Sequence, residues 1–116
     1  VPVMGPLTHD GQGSMLNTNA DTIAGETAKA LAELFDVTLV FCFEKKGVLS
    51  DENDDDSVIP VITPELFKEY VEKGVIQGGM IPKLENSFSA IDAGVSLVVI
   101  TLASAIHQKG GTVIKK

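Results

Sequence analysis

The sequence predicts an α/β protein, a three-layer αβα sandwich built on a mainly parallel central sheet. Two observations lead there. Leu39–Phe43 and Val95–Leu102 are continuous apolar runs, the pattern of strands covered on both faces. Each follows a segment with helical spacing: Ile23, Thr27, Leu31 and Leu34 before the first run, and Ile81, Leu84, Phe88 and Ile91 before the second. Buried strands alternating with amphipathic helices place helices on both faces of a sheet. On this reading Leu39–Phe43 lies at the centre of that sheet.

Taken in order, Val1–Leu7 holds two prolines and a glycine, which suits the end of a strand leading into a loop. The chain opens on Val1-Pro2-Val3-Met4 without an initiator methionine, so a fragment of a longer protein is expected. Asp10-Gly11 marks a tight hairpin ending near Leu16. Asn17, Asn19 and Asp21 supply helix-capping groups, and the helix behind them is expected to run to about Leu34. Gly47-Val48-Leu49 continues as a short extended piece after the central strand. An acidic loop spans Ser50 to Ser57, and a short strand covers Val58 to Ile62. Thr63-Pro64-Glu65 opens a helix with threonine as cap and proline at the first helical position, and Leu66, Phe67, Tyr70 and Val71 form its buried stripe. Gly74 stops it. A further helix follows Gly78-Gly79 with Pro82 in its first turn and ends at Gly94. Gly110–Ile114 reads as a turn and a last strand.

Size and charge narrow the function classes. With 116 residues, 44% of them hydrophobic, and no tryptophan, one modest aliphatic core and one domain are expected. No run is long enough to span a bilayer, and the N-terminus lacks a signal-peptide pattern. The single cysteine, Cys42, permits no internal disulfide and suggests a reducing, cytoplasmic setting. A net charge of −7 argues against nucleic-acid binding; the acidity is local, because Asp51, Glu52, Asp54, Asp55 and Asp56 leave the remainder at only −2.

Several chemical readings fail on spacing. Gly11 and Gly13 lack the third glycine of a dinucleotide fingerprint. Asp51, Asn53 and Asp55 match the first ligand positions of a calcium-binding loop, but Asp56 and Ile62 stand where glycine and glutamate are required. His9 and His107 have no partner at metal or triad spacing. Two helix starts remain. Gly78-Gly79-Met80-Ile81-Pro82-Lys83 combines glycine backbone, free N–H groups and a lysine, which together form a phosphate cradle. Read alone, it fits a solvated lysine on an ordinary glycine-capped helix better. Its charge opposes the positive end of the helix dipole, so Lys83→Ala should change stability by less than about 0.5 kcal/mol whichever role the residue has. Ligands in open α/β sheets collect at the carboxyl ends of strands. If both helices start there, Asp21 and Lys83 face a common ligand.

Read in order, Asn17-Thr18-Asn19-Ala20-Asp21-Thr22-Ile23-Ala24 and Gly78-Gly79-Met80-Ile81-Pro82-Lys83 resemble the N-acetylglutamate kinases of arginine biosynthesis, within the amino-acid kinase superfamily. Supporting stretches are Pro2–Pro6, His9-Asp10-Gly11, Gly47-Val48-Leu49, Thr63-Pro64-Glu65 and Gly111–Ile114. The resemblance covers the whole chain and implies the carbamate kinase-like fold. It makes residues 1–116 the C-terminal, ATP-binding half, without the N-terminal half that carries a glycine-rich loop and a second lysine. It implies ATP with Mg²⁺ as cofactor and phosphorylation of the γ-carboxylate of N-acetyl-L-glutamate. A full-length homodimer is implied as well. By the same resemblance, Asn17 contacts the acylated glutamate with Asn19 beside it, Asp21 holds the active-site lysines, and Lys83 stabilises the transferring phosphoryl group. Nucleotide contacts fall to Glu44, Lys45, Lys46, Gly47, Val48 and Leu49, to Val75, Ile76 and Gln77, and to Gly79 and Met80.

The chain departs from the family pattern at Phe43-Glu44-Lys45-Lys46-Gly47, where relatives carry Thr-Asp-Val-x-Gly. It is also short between Leu102 and Gly110, which implies a parent enzyme that arginine does not inhibit. Other readings stay open: an N-succinylglutamate kinase, another acidic-substrate kinase of the superfamily, or a non-catalytic nucleotide-binding module.

Overall fold

A computed structural model describes residues 1–116. In chain order the elements are β1 (Leu7–His9), β2 (Met15–Asn17), α1 (Ala20–Ala32), β3 (Thr38–Phe43), β4 (Val61–Ile62), α2 (Pro64–Glu72), α3 (Met80–Asp92), β5 (Leu97–Leu102) and β6 (Thr112–Ile114). The capping signals are used as read. Asn19 accepts a hydrogen bond from the Asp21 N–H at 2.8 Å, and Thr63 caps α2 with Pro64 behind it.

β1 and β2 form an antiparallel hairpin. The other strands make one mixed sheet in the order β3-β5-β6-β4, with β3–β5 and β4–β6 parallel and β5–β6 antiparallel. Register aligns the side chains into rows. Leu39, Val98, Ile114 and Ile62 stand side by side, as do Phe41, Ile100 and Thr112, and all seven are buried. This face receives the helices: α1 packs on β3, α3 on β5 and β6, and α1 and α2 flank α3. Phe67 of α2 meets Phe88 of α3 with ring centroids 5.5 Å apart.

The α/β class with a largely parallel sheet is as expected, and three details differ. First, β3 is an edge strand, not the central one; β5 and β6 are interior. Its apolar run promised cover on both faces, yet the row Val40, Val99, Val113 and Val61 on the opposite face is exposed or half-buried, and the helices line one face only. Second, α1 stops at Ala32 and turns Ala24, Ala28 and Ala32 to the core. Leu31 and Leu34, expected inside, are exposed, because the small residues allow a closer approach to α3 and β3 than leucines would. Third, Val1, Val3 and Met4 are exposed and outside any strand, since nothing pairs with them.

Residues 47 to 59 form a narrow antiparallel ribbon, with Ile59 N–H donating to Val48 O and Ser50 N–H to Ser57 O. One buried hydroxyl ties it to the sheet. Thr112 Oγ1 accepts from the Val48 N–H at 2.8 Å and donates to Ile59 O at 2.7 Å. Gly47 is needed for that approach, since a Cβ there would lie 2.7 Å from Thr112 Oγ1 and 2.9 Å from Val58. Thr112→Val keeps the shape but orphans a buried donor and acceptor, so unfolding free energy should fall by about 1–3 kcal/mol in a urea titration.

In the hairpin turn, Asp10 accepts from the N–H groups of Gln12 and Ser14. These bonds hold its carboxyl below the usual value of 3.8. A depressed carboxyl contributes stability that is full above 3.8 and lost as pH falls through the folded-state value. The Gln12 and Ser14 amide resonances should therefore titrate with a midpoint below 3.8, and Asp10→Ala should abolish that transition.

Candidate active site

The segment between α2 and α3 is shaped by glycine. Gly78 has φ +59°, a left-handed conformation that suits glycine, and Gly79 is the N-cap of α3 without any side-chain cap. The N–H groups of Gly78 and Gly79 donate to nothing within the chain. Together with the positive end of the helix dipole, they form a surface suited to an anion.

Lys83 is the fourth residue of α3 and is far from solvated. Its side chain is 13% exposed and its Nζ lies 2.7 Å from Asp21 Oδ2, on a residue 62 positions earlier in the first turn of α1. The ammonium also sits 4.8 Å from the centroid of the Phe41 ring on β3. The expected change of less than about 0.5 kcal/mol for Lys83→Ala rested on an unpaired charge at a helix start, and this geometry corrects it, because the ammonium is paired with Asp21 and largely enclosed. A charge so enclosed stabilises only while its partner is present.

A pocket of about 910 Å³ opens beside this pair. One wall is Glu44, Lys45, Gly47, Val48 and Leu49; the other is Val75, Ile76, Gln77, Gly79 and Met80, with Lys83 at the edge. The structure thus brings together Asp21, Lys83 and both expected nucleotide segments apart from Lys46. That residue lines a separate pocket of about 180 Å³ with Thr101, Ser104 and Lys109. Asn17 stands at the end of β2 opposite Leu7, and Asn19 is spent as the α1 cap; both are exposed and neither lines the large pocket.

Sequence reasoning missed two contributors. Asp51, Glu52 and Asn53 of the acidic loop, at the far end of the ribbon, also line the pocket. Its outer acids are tied down by Lys45 to Asp55 at 3.0 Å and Lys46 to Asp56 at 3.2 Å. The hydrogen bond that its ammonium donates to the Asp55 carboxylate raises the Lys45 pKa above its usual range. Phe41 was also missed. It lay inside an apolar run read as covered on both faces, and only the fold reveals what lies over its ring.

No three of the chain's carboxylate, imidazole or thiol groups converge on one point. Mg²⁺ carried with a nucleotide needs no such cage, since phosphate oxygens and water fill most of its coordination sphere. Glu44, Asp51 and Glu52 are the hard oxygen donors this pocket can add.

The sequence profile of the amino acid kinase family matches residues 1–101. The chain belongs to that family. Among curated members, the acetylglutamate kinase of Phocaeicola vulgatus is 87% identical over all 116 residues, which correspond to 45% of its length. That of Bacteroides fragilis is 79% identical over the same span, 44% of its length. The chain therefore spans less than half the length of the curated relatives it matches. Among solved structures, smu.665 from Streptococcus mutans superposes with a TM-score of 0.73 at 38% identity, covering 95% of this chain and 40% of that one. An N-acetylglutamate synthase from Neisseria gonorrhoeae, complexed with coenzyme A and L-arginine, gives 0.79 at 20% identity, covering 97% of this chain and 27% of that one, a likeness of fold. The amino acid kinase profile includes the hairpin, the Asp21–Lys83 pair and both walls of the large pocket.

Lys83→Ala should lower stability by about 1–2 kcal/mol, from lost stem packing and an orphaned Asp21. A double-mutant cycle with Asp21→Ala, read by urea unfolding, should return a coupling of about 0.5–1.5 kcal/mol.

Proposed function

We propose that residues 1–116 are the C-terminal, ATP-binding half of an acetylglutamate kinase, which transfers the γ-phosphoryl group of ATP to the γ-carboxylate of N-acetyl-L-glutamate in arginine biosynthesis. The observation that carries this reading is the enclosed Lys83–Asp21 pair at the edge of the large pocket, beside the uncapped N-terminus of α3. In the reaction, a carboxylate oxygen attacks the γ-phosphorus and the bond from that phosphorus to the β–γ bridging oxygen breaks. The products are ADP and an acyl phosphate. The nucleophile is ionised at neutral pH, with a reference pKa of ~4.3, so no general base is required.

Catalysis then rests on position and charge. Lys83 offers a preorganised cation to the phosphoryl oxygens, and Asp21 keeps that cation aimed without neutralising it in the transition state. The free N–H groups of Gly78 and Gly79 add donors for phosphate. Glu44, Lys45, Gly47, Val48 and Leu49, with Val75–Gln77 opposite, would wall the nucleoside. Mg²⁺, bound with the nucleotide, would neutralise phosphate charge, and Glu44, Asp51 and Glu52 are the pocket's carboxylates that could hold it. Asn17 and Asn19, on the hairpin side of α1, would meet the acylated amino acid. The full-length enzyme is proposed to be a cytoplasmic homodimer.

The test is acyl-phosphate formation by the full-length protein, trapped with hydroxylamine, with N-acetyl- and N-succinyl-glutamate offered in parallel. Turnover with the acetyl substrate is expected; preference for the succinyl substrate would reassign the acyl group, and absence of both products would sink the reading. Lys83→Ala should cut kcat at least a hundredfold, the loss of roughly 3 kcal/mol of transition-state stabilisation.

A further inference from the structure

We infer that Phe41 is a positioning residue for the reaction, acting through Lys83; the inference deepens the kinase reading and rests on it. Three elements converge at this point. Lys83 comes from the first turns of α3, Asp21 from the first turn of α1, and Phe41 from the interior face of β3, in register with Ile100. The Asp21 carboxylate holds the ammonium at 2.7 Å and the ring centroid lies 4.8 Å away. The two contacts constrain different motions. A single carboxylate fixes the distance of an ammonium but leaves it free to swing about the oxygen, because a lysine stem carries about 2 kcal/mol of rotamer entropy. The negative face of an aromatic ring removes that freedom, since the cation is attracted to it without forming a bond that must later be broken.

The ring suits this task better than a polar group would. It donates no proton and accepts no strong hydrogen bond, so the remaining N–H donors of Lys83 stay available to a phosphoryl group in the pocket that Lys83 lines. Phe41 is itself 4% exposed and wedged in the core, so its ring cannot drift. A leucine would fill the same core at little cost in volume and lose the attraction. Phosphoryl transfer depends on geometry, and a misplacement of about 1 Å can cost a hundredfold in rate.

Substitution by phenylalanines carrying one, two, three and five fluorines separates the two roles of this residue. Fluorination keeps shape and apolarity while it weakens, then reverses, the charge on the ring face. In the full-length enzyme, kcat is expected to fall stepwise along the series to roughly a tenth, with KM for ATP changed less than about twofold and the melting temperature nearly constant. Phe41→Leu should match the most fluorinated variant. An unchanged kcat across the series and in Phe41→Leu would overturn the inference and leave Phe41 as core alone. The Lys83 ε-methylene proton shift gives a readout that needs no turnover. An upfield ring-current shift that Phe41→Leu abolishes supports the seat, and an unshifted resonance overturns it. If the full-length protein forms no acyl phosphate, the kinase reading fails, and the proton shift still decides whether Phe41 seats the lysine.

Discussion

A pleated sheet can present only every second side chain to a given face, and here one face takes nearly the whole apolar load. Leu39, Phe41, Val98, Ile100, Ile62 and Ile114 form a continuous floor, and three helices compete for it. Because β3 and β5 run parallel, the helices packed against them enter from related ends of the sheet. That arrangement lets two residues 62 positions apart in sequence meet as an ion pair. The pairing of Asp21 with Lys83 is a consequence of where the floor lies, and the floor follows from strand register.

Thr112 occupies the same row as Phe41 and Ile100, and it serves the pocket wall. A hydroxyl in an apolar row is costly unless both its roles are filled. Here it accepts from Val48 and donates to Ile59, so the ribbon that carries Gly47, Val48 and Leu49 is docked to the floor by a group fully satisfied in the process. Gly47 makes room for that contact. The lysines that restrain the acidic loop, Lys45 and Lys46, immediately precede the same glycine, so wall and loop are organised from one short stretch.

Local chemistry was legible in the sequence; long-range placement was less so. Thr63-Pro64, Asn19 and the Asp10-Gly11 turn each specify their structure through bonds to residues two to four positions away, and each was read correctly. The edge position of β3 was not readable, because an apolar run reports what a strand can bury, not what this chain supplies to cover it. The buried face of α1 was misjudged for a related reason: leucines weigh more than alanines in a periodicity, yet close packing favours the smaller residue. The two glycine- and asparagine-marked helix starts led to Asp21 and Lys83, which pair, and the segments proposed to hold the nucleotide line one pocket apart from Lys46. Phe41 could not be found, since its neighbours across space come from three separate stretches of chain.

The alanine face of α1 gives the chain an uneven mutational sensitivity. Ala28 is 4% exposed at the packing face of the helix that carries Asp21. A bulkier side chain there would lift the helix rather than compress the sheet beneath it. The carboxylate would move with it, away from a lysine anchored on another helix. In a genetic screen such a substitution would look like a lesion in the reactive centre, although it lies two turns away and touches neither charged group.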